Sequence, residues 1–350
     1  MQKKKNSETM NYRKQYRVNK RLALNLSSLA ALMLISLISF TNCGRQNYRQ
    51  FDGMVWNTTY HIVYESEKRL DDSIMNTLKE VENSVSVFNE NSIVSQVNSH
   101  KEYKVDSHFR KVYEMSRDIN KKSGGAFDPT LSPLIEAWGF GKGHQPSADT
   151  LRIDSMLEFV GIEKTALVED RMIKEHDKTQ FNFSAIAKGY GVDCVAEMLK
   201  RNGVDNYLVE IGGEIRCGGL NQQQKEWIVS IDSPAEGNEN LEHVSIIKIK
   251  LTDEGVATSG NYRNYQKTAT GASYGHTISA STGRPVKTDV LSATVITKTA
   301  MLADALATTC MAIGSEKGLA LCDSLQCGVM LVLDDLTVIS NAQFKRLVTE

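Results

Sequence analysis

The chain has 350 residues, 41% apolar and 24% charged, which excludes disordered and fibrous classes and gives enough length for a core without disulfide or metal staples. Its net charge of −1 hides an asymmetry: residues 1–42 hold eight Lys and Arg against one acid, Glu8, leaving 33 basic and 41 acidic residues in 43–350, a net of −8. An acidic body excludes a general nucleic-acid binder on electrostatic grounds.

From Leu22 to Phe40 the chain is uncharged and mostly Leu, Ala, Ile and Ser, a run of 19 residues that reaches bilayer length. The basic block ahead of it fits the n-region of an export signal. The run ends in Phe40-Thr41-Asn42-Cys43-Gly44, so two readings stand: a lipoprotein signal of residues 1–42 with Cys43 as the lipidated terminus, or an uncleaved membrane anchor. Both place the body outside the cytoplasm, tethered to a membrane and facing the periplasm. The other cysteines, Cys194, Cys217, Cys310, Cys322 and Cys327, lie in apolar or small-residue contexts without C-x-x-C or zinc spacing, and read as buried free thiols.

Residues 43–53 read as a short polar tether and 54–350 as the functional domain. Val55–Tyr64 is β-rich. Ile74, Leu78, Val81, Val85 and Phe88 recur at helical spacing across Asp71–Phe88, and Phe109, Val112, Tyr113 and Ile119 do so across Ser107–Lys121. Val192, Val195, Ala196 and Leu199 form a third apolar stripe closed by Gly203. Tyr207–Ile211, Trp227–Ile231, Val244–Leu251 and Leu291–Thr297 read as strands, Ala300–Ile313 as a helix, and Val329–Leu333 with Leu336–Ser340 as a terminal hairpin. The pattern is α+β, a single compact or bilobed domain with mixed sheets and flanking helices, not a regular βαβ alternation.

Four segments join glycines, small residues and isolated polar groups. Gly124-Gly125-Ala126-Phe127-Asp128-Pro129-Thr130 lets backbone approach a ligand, or caps a helix. Asn182 to Gly191 runs small residues into a helix with one cation, Lys188, which suits an anionic group or is a plain strand-to-helix turn. Glu210-Ile211-Gly212-Gly213-Glu214 brackets a bend with two carboxylates. The last set is Ser259-Gly260-Asn261-Tyr262-Arg263, His276, Thr282-Gly283-Arg284-Pro285 and Ala303 to Thr309. Asp304 and Thr308, four apart on one helix, offer a carboxylate and a hydroxyl to a hard cation; alternatively Thr308 bonds back to the helix.

Taken together and in order, these segments resemble the ApbE family of FAD:protein FMN transferases. Thr58-Thr59-Tyr60, Phe88-x₃-Ser92-x₅-Asn98, Gly125 to Pro129, Ala185 to Tyr190, Glu210-x-Gly212-Gly213-Glu214, Ser259-Gly260-x-Tyr262-Arg263, His276, Thr282-Gly283-x-Pro285 and Ala303 to Thr308 carry the resemblance, from about Val55 to about Leu333. It implies a T-fold-like domain that moves the FMN half of FAD onto a Ser or Thr hydroxyl of an acceptor protein, releases AMP and requires Mg²⁺. The acceptors it implies are flavoprotein subunits of quinone reductase or Rnf-type electron-transport complexes. By motif match, Asp304 and Thr308 would hold the metal with the Ala185 carbonyl, and Ala126, Phe127, Asp128, Asn182, Lys188 and Ile278 would contact FAD. Trp56 and Phe88 stand where the family usually has Met and Tyr against the flavin, and His276 would serve as general base with Lys188 on the phosphates. Thr268 to Ser273 superficially resembles an acceptor sequence but lacks the preceding Asp-Gly. An FAD pyrophosphatase giving FMN and AMP, and a non-catalytic FAD-binding lipoprotein, are the alternative readings.

Overall fold

Eight strands pair antiparallel into one sheet, in the order β1 (Tyr48–Val55), β2 (Thr58–Glu65), β6 (Tyr207–Ile211), β7 (Glu214–Gly218), β10 (Gly255–Gly260), β13 (Val290–Thr297), β14 (Gly328–Leu333) and β15 (Val338–Ser340). The structure is a computed structural model that describes residues 47–141, 150–234, 245–260, 265–267 and 273–349. Tyr48–Glu350 forms one unit by its internal contacts. Helices and an antiparallel sheet together make it an α+β fold, as expected from the sequence.

The sheet is covered on both faces, and the side-chain period of two shows how. In β2, Ile62 and Tyr64 pack with the helices while Val63 packs on the opposite face. In β13 and β14, Val295, Val329 and Leu331 face the helices, whereas Ile296 and Met330 face away. This double burial explains the near-continuous apolar runs of β13 and β14, where each fully buried Val, Ile or Leu contributes about 1.5–3 kcal/mol. The helical face is formed by α1 (Asp71–Val85), α3 (Ser107–Lys122), α6 (Ala187–Arg201) and α7 (Ala300–Ile313). The other face is covered by the pair β8 (Trp227–Asp232) and β9 (Ser245–Leu251) and by Phe344 of α9 (Ala342–Lys345). The short helices α2 (Ile93–Ser99), α4 (Ser132–Ala137), α5 (Thr150–Met156) and α8 (Ser315–Ser324) complete the helical set. Two small sheets, β3–β5–β4 (Glu102–Lys104, Arg171–Lys174, Thr165–Val168) and β11–β12 (Tyr265–Lys267, Ser273–Gly275), stand apart from the large one.

The two ends of the large sheet differ. The β1–β2 connection at Trp56-Asn57 and the β6–β7 connection at Gly212-Gly213 lie together at one end, where Gly212 N–H donates to the Thr59 carbonyl. Gly212 and Gly213 take φ of 62° and 97°, a left-handed pair that accounts for the two glycines. Tyr48, Glu65, Tyr207 and Gly218 lie level with one another at the opposite end.

Several expectations shift. The polar segment expected as a tether contains β1, so the fold begins at Tyr48 and not at residue 54. The helix expected through Phe88 ends at Val85, where Ser86 turns extended, and Phe88 sits in the following turn. The strands β7 and β10 and the helix α8 were not expected from periodicity. The last strand begins at Val338 because Leu336 adopts a φ of 67° in the turn. Residues 1–46, including Cys43 and the apolar run, lie outside the described residues, as do Asn261 to Asn264 and Thr268 to Ala272. Among the described residues no helix is long and apolar enough to cross a membrane.

Candidate active site

The approach of α6 to α7 creates the candidate site. Gly189 lies so close to the neighbouring helix that a Cβ there would stand 2.3 Å from the Ala300 carbonyl oxygen and 2.8 Å from the Asp304 Cβ. This proximity lets Gly189 N–H donate to Asp304 Oδ2 at 3.0 Å. Gly189 is the third residue of α6, so its N–H has no carbonyl within the helix to reach, and Asp304 supplies the acceptor. Tyr190 N–H, the next along, reaches the Ile186 carbonyl at the helix start. Among the described residues no hydrogen bond reaches the Ala185 carbonyl, nor the second oxygen of Asp304.

Asp304 is buried, on a helix buried almost all round. Thr308, one turn on, shares a hydrogen bond of 3.1 Å with Ser259 of β10. It does not bond back to its own helix, as Thr309 does to Ala305 at 2.7 Å. Lys188 places its Nζ 2.6 Å from Glu214 Oε2 at the start of β7. Burial pushes the Asp304 carboxyl above its usual range, against the pull of Lys188 and Gly189 N–H. Burial likewise raises Glu214, with Lys188 opposing and Asp304 adding to the rise. Lys188 is lowered by burial but raised more by Glu214, Asp304 and Glu210, and stays protonated. Two buried carboxyls thus flank one ammonium, and a cation bound beside them would favour their ionised forms. The donor set of carboxylate, hydroxyl and backbone carbonyl is all oxygen, the chemistry of a hard divalent cation. Among the described residues no cluster of three His, Cys, Asp or Glu side chains exists, so a metal held here would rest on one carboxylate.

The expected flavin-contacting residues divide by how their side chains are used. Trp56 takes a φ of 50° and lays its ring against α6, where a side chain on Gly191 would otherwise sit. Its buried Nε1 has no hydrogen-bond partner among the described residues. Phe88 is 67% exposed, an aromatic surface open to a ligand. Phe127 and Ile278, by contrast, are buried in core clusters, which leaves only their backbone for a ligand to meet. Asp128 spends both carboxylate oxygens locally: Thr130 N–H and hydroxyl donate to Oδ1 at 2.8 and 2.6 Å, and Ile162 N–H to Oδ2 at 3.1 Å. Burial raises its carboxyl above the usual range while those donors pull it back. Ala126, partly buried, precedes this turn. Asn182 closes its own turn by accepting from Ser184 N–H at 2.9 Å, and its N–H donates to the Pro129 carbonyl at 2.7 Å. His276 is half-buried, with its ring 6.1 Å from that of Phe140 in an edge arrangement.

Other motif residues build the frame. Ser92 caps α2 by accepting from Ser95 N–H. Asn98 clamps Phe181 from both sides, donating to its carbonyl at 2.8 Å and accepting from its N–H at 2.7 Å. Gly283 takes a φ of 66°, and its carbonyl accepts from the Trp138 indole at 2.7 Å. Asp193, not among the residues expected at the site, accepts from Ala300 N–H, Met301 N–H and Arg216 Nη1, each at 2.9 Å. Its signal was a lone acid inside the apolar run Val192 to Ala196. Asp193 thereby ties α6, β7 and the first turn of α7 together.

The profile of the ApbE family matches residues 56–333, and the chain belongs to that family. It is 34% identical over 314 residues to the FAD:protein FMN transferase of Vibrio cholerae, covering 86% of this chain and 92% of the relative. It is 31% identical over 316 residues to that of Haemophilus influenzae, covering 84% and 90%. Among solved structures, the flavin transferase ApbE from Vibrio cholerae superposes with a TM-score of 0.77 at 32% identity, over 86% of this chain and 99% of that one. The apo form of the Pseudomonas stutzeri flavinyl transferase ApbE gives 0.78 at 28% identity, over 87% and 98%.

Proposed function

We propose that the protein is an FAD:protein FMN transferase that uses Mg²⁺ and acts on a Ser or Thr hydroxyl of an acceptor flavoprotein, releasing AMP. The observation that carries this reading is the capping of Gly189 N–H by Asp304: among the described residues the second Asp304 oxygen, one helical turn from Thr308, and the Ala185 carbonyl just ahead of α6 have no hydrogen-bond partner. Those three groups would hold the metal, which when bound supplies charge neutralisation on the phosphoanhydride. The acceptor hydroxyl oxygen forms a bond to the FMN phosphorus while the bond from that phosphorus to the AMP oxygen breaks. His276 accepts the hydroxyl proton, and Lys188 offsets charge on the phosphate oxygens. Trp56 and Phe88 provide the aromatic wall for the isoalloxazine ring. The backbone of Ala126, Phe127, Asp128 and Ile278, with Asn182, lines the rest.

In this reading the protein is exported and held at the membrane through Cys43, and its acceptors are flavoprotein subunits of electron-transport complexes in the same compartment. The test incubates the protein with FAD, Mg²⁺ and a candidate acceptor. A covalently fluorescent acceptor band is expected. Free FMN and AMP with an unlabelled acceptor would establish a pyrophosphatase instead, and tight FAD binding without turnover under any divalent metal would leave only a binding protein.

A further inference from the structure

The alternation of β7 sends Glu214 and Arg216 to the helical face, while Ile215 and Cys217 pack on the other. Both charged residues meet α6, and the two ion pairs run in opposite senses: Lys188 to Glu214, and Arg216 to Asp193. The second pair is closed, with both side chains largely buried and Asp193 filled by three donors. The first is open on one side only. Glu214 is 2% exposed and Lys188 37%, so a buried carboxylate grips an ammonium whose outer side reaches solvent. Lys188 has no other hydrogen-bond partner among the described residues, so two of its three N–H donors remain for a ligand.

We infer that Glu214 is a positioning residue, which fixes the Lys188 ammonium beside Asp304 so that its two outward N–H groups meet the phosphates of FAD. The inference rests on the transferase reading of this same site and adds a role for the carboxylate that ends its Gly-Gly bend. A lysine stem is flexible and its head strongly hydrated; a charge-assisted bond of 2.6 Å to a rigid strand residue holds it in one place. The bend itself is fixed from the other side, where Glu210 Oε1 accepts from Gly213 N–H at 2.6 Å. The position of Glu214 is therefore set by backbone, and that of Lys188 by Glu214.

The test is a double-mutant cycle on FAD affinity, read by flavin fluorescence without added metal, on the wild type, Glu214→Gln, Lys188→Met and the double variant. Each single change is expected to weaken FAD binding about tenfold, and the double variant to bind no worse than Lys188→Met alone. Multiplying losses in the double variant would overturn the inference, because they would mean that Glu214 acts independently of Lys188. Unchanged affinity in Glu214→Gln would overturn it too. If Glu214→Gln does not fold, Glu214→Asp replaces it: a loss in the wild-type background and no further loss in the Lys188→Met background is the expected pattern, and equal losses in both backgrounds refute it. A wild type that fails to bind FAD sinks the transferase reading and the inference with it. A wild type that binds, with Lys188→Met binding equally well, sinks the inference alone.

Discussion

Replacing Asp193 with Ala removes the acceptor of three hydrogen bonds from a residue that is 5% exposed. Arg216 loses its counter-charge in a largely buried position, and breaking such a pair costs about 3–5 kcal/mol. Two N–H groups in the first turn of α7 lose their partner as well, each worth about 1–3 kcal/mol when buried. The losses overlap, because one carboxylate serves all three donors, and together they amount to about 4–6 kcal/mol. At about 2 °C per kcal/mol for a domain of this size, the melting temperature should fall by about 8–12 °C. Circular dichroism during heating measures it. Added salt should change little, since buried pairs are poorly screened. Asp193→Asn retains one acceptor oxygen and should lose about half as much. A fall of under about 3 °C for the Ala variant would refute the view that α7 is fastened through this carboxylate.

Asp304→Ala should abolish turnover and with it any dependence on Mg²⁺, while circular dichroism shows a folded protein that has lost about 1–3 kcal/mol with the acceptor of Gly189 N–H; full activity in this variant would show that the metal lies elsewhere. Gly189→Ala should destabilise the fold by about 1–3 kcal/mol through overpacking against Ala300, measured by denaturant unfolding, and a neutral result would mean that α6 and α7 can move apart. Lys174 is buried, its ammonium donating to the carbonyls of Asn98, Asp177 and Thr179 at 3.2, 3.3 and 2.8 Å, and burial lowers its pKa from 10.5 to about 8. Because the unfolded chain holds that proton more tightly, stability should rise between pH 8 and 10.5, by up to about 3 kcal/mol, and Lys174→Met should remove that slope in unfolding titrations.

The elements legible in the sequence are those with one dominant reason to form. β6 alternates in burial, and α7 is a 14-residue run that is apolar but for Asp304, Thr308 and Thr309; both appear at their expected bounds, Tyr207–Ile211 and Ala300–Ile313. β1 escaped notice because it is an edge strand with one neighbour, so half of its residues stay polar and it reads as a linker. β7 and β10 escaped because the signals in them are mixed. Glu214 and Arg216 stand where an apolar pattern would place hydrophobic residues, since their partners lie on α6. Gly255 opens β10 because a side chain there would collide with Thr299 and Ala300.

For the site, sequence order grouped residues that the fold does bring together: Lys188 with Glu214, Gly189 with Asp304, and Ser259 with Thr308. It did not separate side chains that line a surface from those that hold a frame. Phe127, Asp128, Ile278, Ser92 and Asn98 carry the family pattern, yet their side chains serve the core, a cap or a turn. That distinction depends on contacts between residues far apart in sequence, such as Asn98 with Phe181 and Asp128 with Ile162.

The two ends of the large sheet have a practical bearing on how the protein is handled and how it meets a protein substrate. The described fold is entered at Tyr48, whereas Trp56, Glu214 and Ser259 gather toward the other end of the strands. Eight residues of β1 separate the two, about 26 Å of extended chain. A surface linkage, affinity handle or fluorophore joined ahead of Tyr48 therefore starts from the far end of the strands and leaves Trp56, Glu214 and Ser259 at the end away from its support. Immobilised through that end, the protein should present its reactive face to incoming partners as large as folded domains.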